Sequence, residues 1–453
     1  MRPPGSDPGP DDVRDRAVAA LQALVRFPTV SSRDPAEVDV AAFDALLEEL
    51  ARRFPLVHEQ LPLTRISTHG LLFHWRGRSA ERPVVLMAHT DVVPVDPCAP
   101  WQHPPFDAVI ADGAVWGRGT LDDKGCVVAI CLAVERLLER GHVPAQDVWL
   151  SFGCDEEVSG EAAPLAVAEL ESRGVRPWFV LDEGGAVAAG AFPGVRRPLA
   201  VVGVTEKGVT SLRLVVEGRG GHASTPAPMG PTTRIARAVL RLEGAPFPPR
   251  TPAVTLELLE RLAPHVPWAL RPILTRASRL GPALTRALVA AGPEAAAMVR
   301  TTVAVTQLSG SPALNVVASR ATAGVNIRVM VGDTVAGALE HVRRAVRDPQ
   351  VQVDVVESNE PSPVSPHDDD AFRLLEATIR DVFPDAVPTP YVMMAATDAR
   401  FFTGLCERVY RYAPFRMTKA QRQSIHSYDE HLGIDDLADG VRWYERLVEG
   451  LPS

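Results

Sequence analysis

An α/β fold in two domains, the second interrupting the first, is the fold class this sequence predicts. Three observations carry it. Up to about residue 206, β-branched apolar runs alternate with segments of helical apolar spacing, the pattern of a sheet covered on both faces. After "VGVTEKG" the order becomes β-α-β-β-α-β with one inserted segment, as in a small ferredoxin-like α+β domain. From about residue 366, helical segments that flank a sheet return. A chain of 453 residues also exceeds one typical core. The expected boundaries are 1–207 for the first part of one domain, 208–365 for the interrupting domain and 366–453 for the return.

Each element has its own signal. "DDVRDRAVAALQALVRF" spaces apolar residues helically behind an acidic first turn, and Pro28 stops it. "VDVAAFDALLEELARRF" is a second helix. "RPVVLMAHTDVV" is a continuous apolar run, expected as a buried central strand. Residues 126–139 are helical, "DVWLSFG" is a strand, "EAAPLAVAELESRG" a helix and "PWFVLDEGG" a strand with its break. In the second domain, "VTSLRLVVEGRGG", "RTTVAVTQLSG", "ATAGVNIRVMVG" and "VQVDVVES" are strands. "TTRIARAVLRLEG" and "VAGALEHVRRAVRD" are its helices. Residues 246–300 open proline-rich and continue as short helices cut by Pro and Gly. This insert is expected to be a helical cap packed on the second domain, against the alternatives of an apolar lining for an acyl group or a partner surface. "SPHDDDAFRLLEATIRDVF" and "LADGVRWYERLVEG" are the closing helices.

Composition narrows the function classes. The chain is 46% hydrophobic and 23% charged, which is ordinary for a soluble globular protein. A net charge of -9 argues against a nucleic-acid surface. Five irregularly spaced cysteines do not form a disulfide framework. "MRPPGSDPGPDDVRD" lacks a signal-peptide core, and no uncharged apolar run reaches membrane-spanning length, so a cytoplasmic location is expected. Nearly all basic residues are arginine. The exceptions are Lys124, Lys207 and Lys419, two of them in the turns "DDKG" and "TEKG", where a compact ammonium is preferred if the retention is not chance.

The chemistry concentrates where strands end, which is where open α/β sheets form sites. "AHTDVV" carries His89 and Asp91, two residues apart and on one side of an extended chain, so Asp91 could hold the ring nitrogen that a metal does not use. "WGRGTLDDKG" places Asp122 and Asp123 before a helix, with N-capping the competing role for Asp123. "CDEEVSG" and "VLDEGG" repeat the layout, and "QSIHSYDEHLG" adds His426 and His431. Two histidines and three carboxylates form a mixed nitrogen and oxygen ligand set that suits zinc, with cobalt or manganese as alternatives. A bridging aspartate with two ligands per ion suits a pair of ions.

"HTDVV", "GRGTLDDKG", "DEEVSG", "LDEGG", "GGHAST" and "IHSYDE", in this order, resemble the M-20 metallopeptidase family, which includes aminoacylases, Gly-X carboxypeptidases and desuccinylases. The resemblance covers essentially the whole chain. It implies a zinc-peptidase-like catalytic domain interrupted by a lid or dimerisation domain. By motif, His89, Asp122, Glu157, Glu183 and His426 resemble the ligands of two zinc ions, with Asp122 bridging. Asp182 competes with Glu183, and the aminoacylase-like pattern favours Glu183. Asp91 would orient His89. Glu156 would be the general base that deprotonates a water activated by the ions. His222 resembles a substrate-contacting histidine that, in dimeric relatives, reaches the partner's site, which allows a homodimer through the lid. Asn315, Arg328 and Arg400 resemble substrate-binding residues. Ala318 replaces the usual proline after "NVV", a local departure. His431 is expected at the surface or behind the ligands.

The resemblance implies hydrolysis of an amide next to a free carboxylate, in a dipeptide or N-acyl amino acid. The insert points to the Gly-X carboxypeptidase and N-fatty-acyl amino acid hydrolase branch. The alternatives are a narrow desuccinylase or deacetylase of diamino acids, which the insert speaks against, and a metal-free binding protein, which predicts a missing ligand. The three adjacent acids of "CDEEVSG" are expected to divide their work. The strand should stop by Asp155, with Glu156 facing the water and Glu157 a metal. Asp155 is left to turn formation.

Overall fold

A computed structural model describes residues 10–192 and 194–453. The first nine residues of the proline-rich N-terminus, where a signal core was sought, lie outside that range. Among the described residues no helix is long and apolar enough to cross a membrane.

Two sheets organise the chain. The larger has ten strands in the spatial order 63–66, 70–75, 146–153, 79–89, 179–182, 409–411, 199–206, 186–188 and 416–417, with 387–393 also paired to 199–206. Its centre is parallel: Gln146–Gly153, Ser79–His89, Phe179–Asp182 and Val409–Arg411 run side by side. The central strand has seven consecutive buried residues at its C-terminal end, from Pro83 to His89. This is what the unbroken apolar run requires of a strand covered on both faces. Helices Pro10–Val25, Lys124–Glu139 and Ile434–Glu449 pack on one face in the main core. Helix Ala162–Ser172 and the 398–404 turn cover the other.

The second sheet is antiparallel, in the order Thr302–Ser309, Arg320–Val329, Gly208–Glu217 and Gln352–Ser358. Helices Pro231–Glu243 and Val335–Val346 bury their apolar stripes against one face. Strand and helix order together match the β-α-β-β-α-β expectation. The catalytic-type α/β unit is thus interrupted by a ferredoxin-like one.

The insert departs from expectation. Helices Ala253–Leu262 and Ala277–Ala290 do not cap the second sheet. They bury Leu258, Leu259, Leu262 and Leu288 with Val195, Leu199 and Val387, on the outer strands of the ten-stranded sheet. The physical reason is availability. One face of the small sheet is already covered by its own two helices. The pair 199–206 and 387–393 still offered uncovered apolar surface. On the same side a hydrogen bond of His367 Nε2 with Glu257 Oε2 at 2.8 Å and the ion pair of Arg261 with Glu376 fix the docking. The sequence also concealed a small sheet of Val109–Ala111, Ala114–Trp116 and His431–Gly433, too short for any periodicity to register.

Candidate active site

The ends of three parallel strands meet in register. His89 pairs with Gly153, and Leu86 with Leu181, so the segments that follow each strand emerge together. Beyond Gly153 the chain leaves the sheet and forms a single 3-10 turn, Glu156–Val158, closed by Ser159 in the left-handed region. The strand has therefore ended before Asp155, and alternation no longer forces neighbouring side chains apart. The fourth segment is the loop 117–123 before helix Lys124–Glu139. Gly119 has φ 84, and a Cβ there would lie 2.7 Å from Val92 Cγ1, so this turn needs glycine twice over. The last segment follows helix Lys419–Ser424 and holds His426 at φ 60, a left-handed conformation that a non-glycine residue keeps only under surrounding constraint.

These segments bring the five expected ligands into two groups that share Asp122. Ligand atoms of His89, Asp122 and Glu183 lie within 4.8 Å of one another, as do those of Asp122, Glu157 and His426. His89 Nε2 is 3.0 Å from Asp122 Oδ1. His426 Nε2 is 2.9 Å from Asp122 Oδ2 and 3.0 Å from Glu157 Oε2. Asp122 thus offers one oxygen to each group, as a bridging carboxylate must. Glu157 Oε1 is buried with no hydrogen-bond partner. A buried, unsatisfied carboxylate oxygen beside two imidazoles is costly unless a cation joins them, so the donor set fits divalent metal.

The choice between Asp182 and Glu183 has a geometric basis. Asp182 Oδ1 accepts from the backbone N–H of Glu183 at 2.9 Å, and Oδ2 from that of Ala399 at 2.8 Å. Both its oxygens are occupied by backbone donors, while Glu183 faces the cluster. Asp123 does not cap its helix by side chain; its Oδ2 accepts from the His89 N–H at 3.3 Å. Asp155 does act as a cap, taking the N–H groups of Glu161 and Ala162 at the start of helix Ala162–Ser172.

Asp91 is fully buried behind His89, with Oδ1 3.3 Å from Nδ1. It also accepts from the N–H groups of Glu156 and Glu157, and from Ser31 Oγ at 2.7 Å. One carboxylate thereby aims the histidine and the turn that carries two of the acids. Charges follow the packing. Burial drives the Glu156 carboxyl well above its ordinary 4.5, and the charges of Asp398, Glu157 and Asp122 push the same way against His89. Asp122, although buried, is held below the usual carboxylate range by His426 and His89. The His426 ring is raised to about 10 by Asp122 and Glu157.

The expected substrate-binding residues fall into two places. Arg328, on strand Arg320–Val329, is lowered by burial and by the neighbouring Arg400 charge, so the two guanidinium groups share one region. Arg400 donates Nη1 to Thr397 O at 3.1 Å, while its Nε and Nη2 are buried without partners. His222 and Asn315 lie together elsewhere, on an exposed ribbon of the second sheet's domain. His222 Nδ1 accepts from Ser224, and the Ala223 N–H donates to Asn315 O at 3.1 Å. His431 stacks on Trp116 at 4.1 Å and stands behind the site.

Sequence reading missed several supports. Glu430 Oε1 accepts from the N–H groups of Leu121 and Asp122, and its Oε2 is 2.6 Å from Arg118 Nη1. Arg118 Nη2 in turn donates to Ser427 O at 2.6 Å. This buried pair ties the Asp122 loop to the His426 loop. Asp398 is buried near Glu156, with its carboxyl raised by burial to about 8. Glu430 sits inside the quoted "IHSYDE" and Asp398 two residues before Arg400, but nothing local marks which partner each one meets.

Known proteins align with this arrangement along the whole chain. It is 34% identical over 445 residues to a probable carboxypeptidase S-like 2 of Dictyostelium discoideum, covering 95% of this chain and 84% of that protein. It is 35% identical over 442 residues to the N-fatty-acyl-amino acid synthase/hydrolase PM20D1 of Xenopus tropicalis, covering 96% and 86%. The crystal structure of human carnosine dipeptidase 1 superposes with a TM-score of 0.71 at 16% identity, over 97% of each chain, which speaks to fold alone. Because the profile of Peptidase family M20/M25/M40 matches residues 85–450, and two such relatives exceed 30% identity over nearly the whole chain, the protein belongs to that family and is a hydrolytic metalloenzyme.

Proposed function

We propose that this enzyme hydrolyses the amide bond of a dipeptide or N-acyl amino acid next to a free carboxylate. The observation that carries the reading is the pair of ligand groups hinged on Asp122, with the buried Glu156 carboxyl beside them. We assign His89, Asp122 and Glu183 to one ion and Asp122, Glu157 and His426 to a second. Zinc suits this nitrogen and oxygen set, with cobalt or manganese as alternatives. Two such ions would lower the pKa of a water and polarise the amide carbonyl. Glu156 would accept the water's proton and return one to the leaving amine, a task for which its buried place beside the ligand groups suits it. Asp91 orients His89 and holds the Glu156–Glu157 turn through its N–H groups. The unpartnered nitrogens of Arg400, with Arg328 near, suit the substrate carboxylate. His222 and Asn315 are assigned to substrate contact, His222 across a homodimer formed through the lid.

The domain limits we favour are 1–207 with 366–453 for the catalytic unit and 208–365 for the lid. The unpaired state of all five cysteines supports a cytoplasmic setting. A screen of N-acyl amino acids and dipeptides with the zinc-loaded protein tests the reading. Glu156→Gln should lower kcat by a factor of about 100 or more while zinc content is unchanged. Full activity in that variant would overturn the general-base role. Turnover confined to succinyl- or acetyl-diamino acids would select the narrow biosynthetic alternative instead.

A further inference from the structure

One part of the insert plays no role in holding it on the sheet. While helices Ala253–Leu262 and Ala277–Ala290 bury their apolar faces, every residue of the turn 267–273, "PWALRPI", is exposed. Trp268 is 82% exposed, Leu270 42% and Ile273 41%. Three large apolar side chains within six residues would normally be buried. From residue 262 to residue 293 the sequence holds four arginines and neither Asp nor Glu, in a chain whose net charge is -9. Arg271 Nε and Arg276 Nη1 donate to the backbone carbonyls of Val266 and Pro272, which leave their charge uncompensated. Among the described residues no ion pair holds either of them, or Arg279.

We propose that this turn, with the arginines beside it, docks on an anionic lipid bilayer. The charge is complementary to acidic headgroups, and the sign is opposite to that of the protein as a whole. The shape also fits. A stable protein interface needs about 800 Å² per partner, whereas one convex turn offers little area. A bilayer accepts such a tip: Trp268 at the headgroup level, Leu270 and Ile273 at the acyl boundary, and the arginines on phosphates. The two packed helices beneath keep the tip rigid, so little order is lost on binding. Docking here is independent of the reaction assigned above.

Flotation of the full-length, metal-loaded enzyme with phosphatidylcholine vesicles, with and without about 30% phosphatidylglycerol, tests this. Binding should require the anionic lipid and weaken in about 0.5 M salt. Each of Arg271→Ser, Arg276→Ser and Arg279→Ser should lower partitioning about five-fold. The combined variant Trp268→Ser, Leu270→Ser, Ile273→Ser should stay unbound, yet hydrolyse a soluble substrate at the wild-type rate. Wild-type enzyme that fails to float with the anionic vesicles would overturn the proposal. So would a triple variant that floats as well as wild type. Sedimentation supplies a further check: if the triple variant turns a dimer into a monomer, the turn is a self-interface and the lipid assignment falls.

Discussion

Glu430 and Arg118 show how far control of a ligand set extends beyond the ligands. Glu430 holds the backbone that carries Asp122, and Arg118 holds the carbonyl next to His426. Neither side chain is among the expected ligands, yet the placement of Asp122 and His426 depends on them. Glu430→Gln keeps the shape and removes the charge that anchors Arg118. Metal affinity, measured by competition with a chelator, should fall about ten-fold. An unchanged affinity would mean that the loops hold their geometry without this pair. The lysines carry a second lesson at this scale. Lys124 is fully buried, and its Nζ donates to Leu24 O at 3.1 Å and Phe27 O at 2.7 Å, carbonyls of the last turn of helix Pro10–Val25 and of the segment just beyond it. A guanidinium is too large for that niche. Lys124→Arg should cost about 2 kcal/mol in urea denaturation, while Lys419→Arg, in an exposed pair with Glu294, should stay within about 0.5 kcal/mol. The contrast between lysine and arginine was visible in the sequence; which lysines were buried was not.

Among elements, the two helices of the small sheet are joined by one acid. Asp348 accepts from Arg234 at 2.7 and 2.9 Å and from Arg237 at 3.0 Å, linking helix Pro231–Glu243 to the end of Val335–Val346. Burial alone would raise its carboxyl, but the Gln350 N–H, Arg237 and Arg234 outweigh it and hold the pKa below 3.8. A lowered folded-state pKa stabilises the fold fully above the unfolded value and loses that contribution as pH falls through the folded one. Acid titration of thermal stability from about pH 5 down to about pH 2.5 should therefore show a loss that sets in as pH enters the ordinary Asp range near 3.8 and continues below it, and Asp348→Asn should remove that part of the slope. Element identity was well marked in the sequence where runs were long. The central strand and the helices at 10–25, 40–53 and 434–449 follow their apolar spacing. The three-residue strands were too short for periodicity to mark: 109–111 and 114–116 pair with each other in a local hairpin, and 431–433 joins them only when the distant end of the chain folds back.

At the scale of the whole molecule, the insert is fastened to the outer strands of the catalytic sheet rather than to the domain that contains it in sequence. Leu262 is fully buried in that contact. Leu262→Ala should cost about 2–4 kcal/mol. Its footprint should appear in hydrogen exchange as lost protection of Val387–Met393, with Gly208–Glu217 unaffected. Equal loss in both strands would show that the insert and the small sheet open as one unit.

The sequence by itself determined the alternation of elements, the interruption of one domain by another and the five ligand candidates. Each of these is written in local spacing or in short motifs, where the physical cause lies within a few residues of its effect. Asp182 and Glu183 mark where that ends. They are adjacent acids at one strand end; the motif favours Glu183, and the tertiary structure supplies the physical reason, because the N–H of Ala399, more than two hundred residues away, occupies Asp182. The same holds for "CDEEVSG", whose division of work the motif implies and whose partners the fold supplies: Asp155 accepts the N–H groups that open a helix, Glu156 is buried and Glu157 faces the second imidazole. It holds too for the insert, whose apolar faces were evident but whose surface of attachment depended on which sheet still lacked a cover. Long-range hydrogen bonds and competition for uncovered apolar area are properties of the folded arrangement, and no local pattern encodes them.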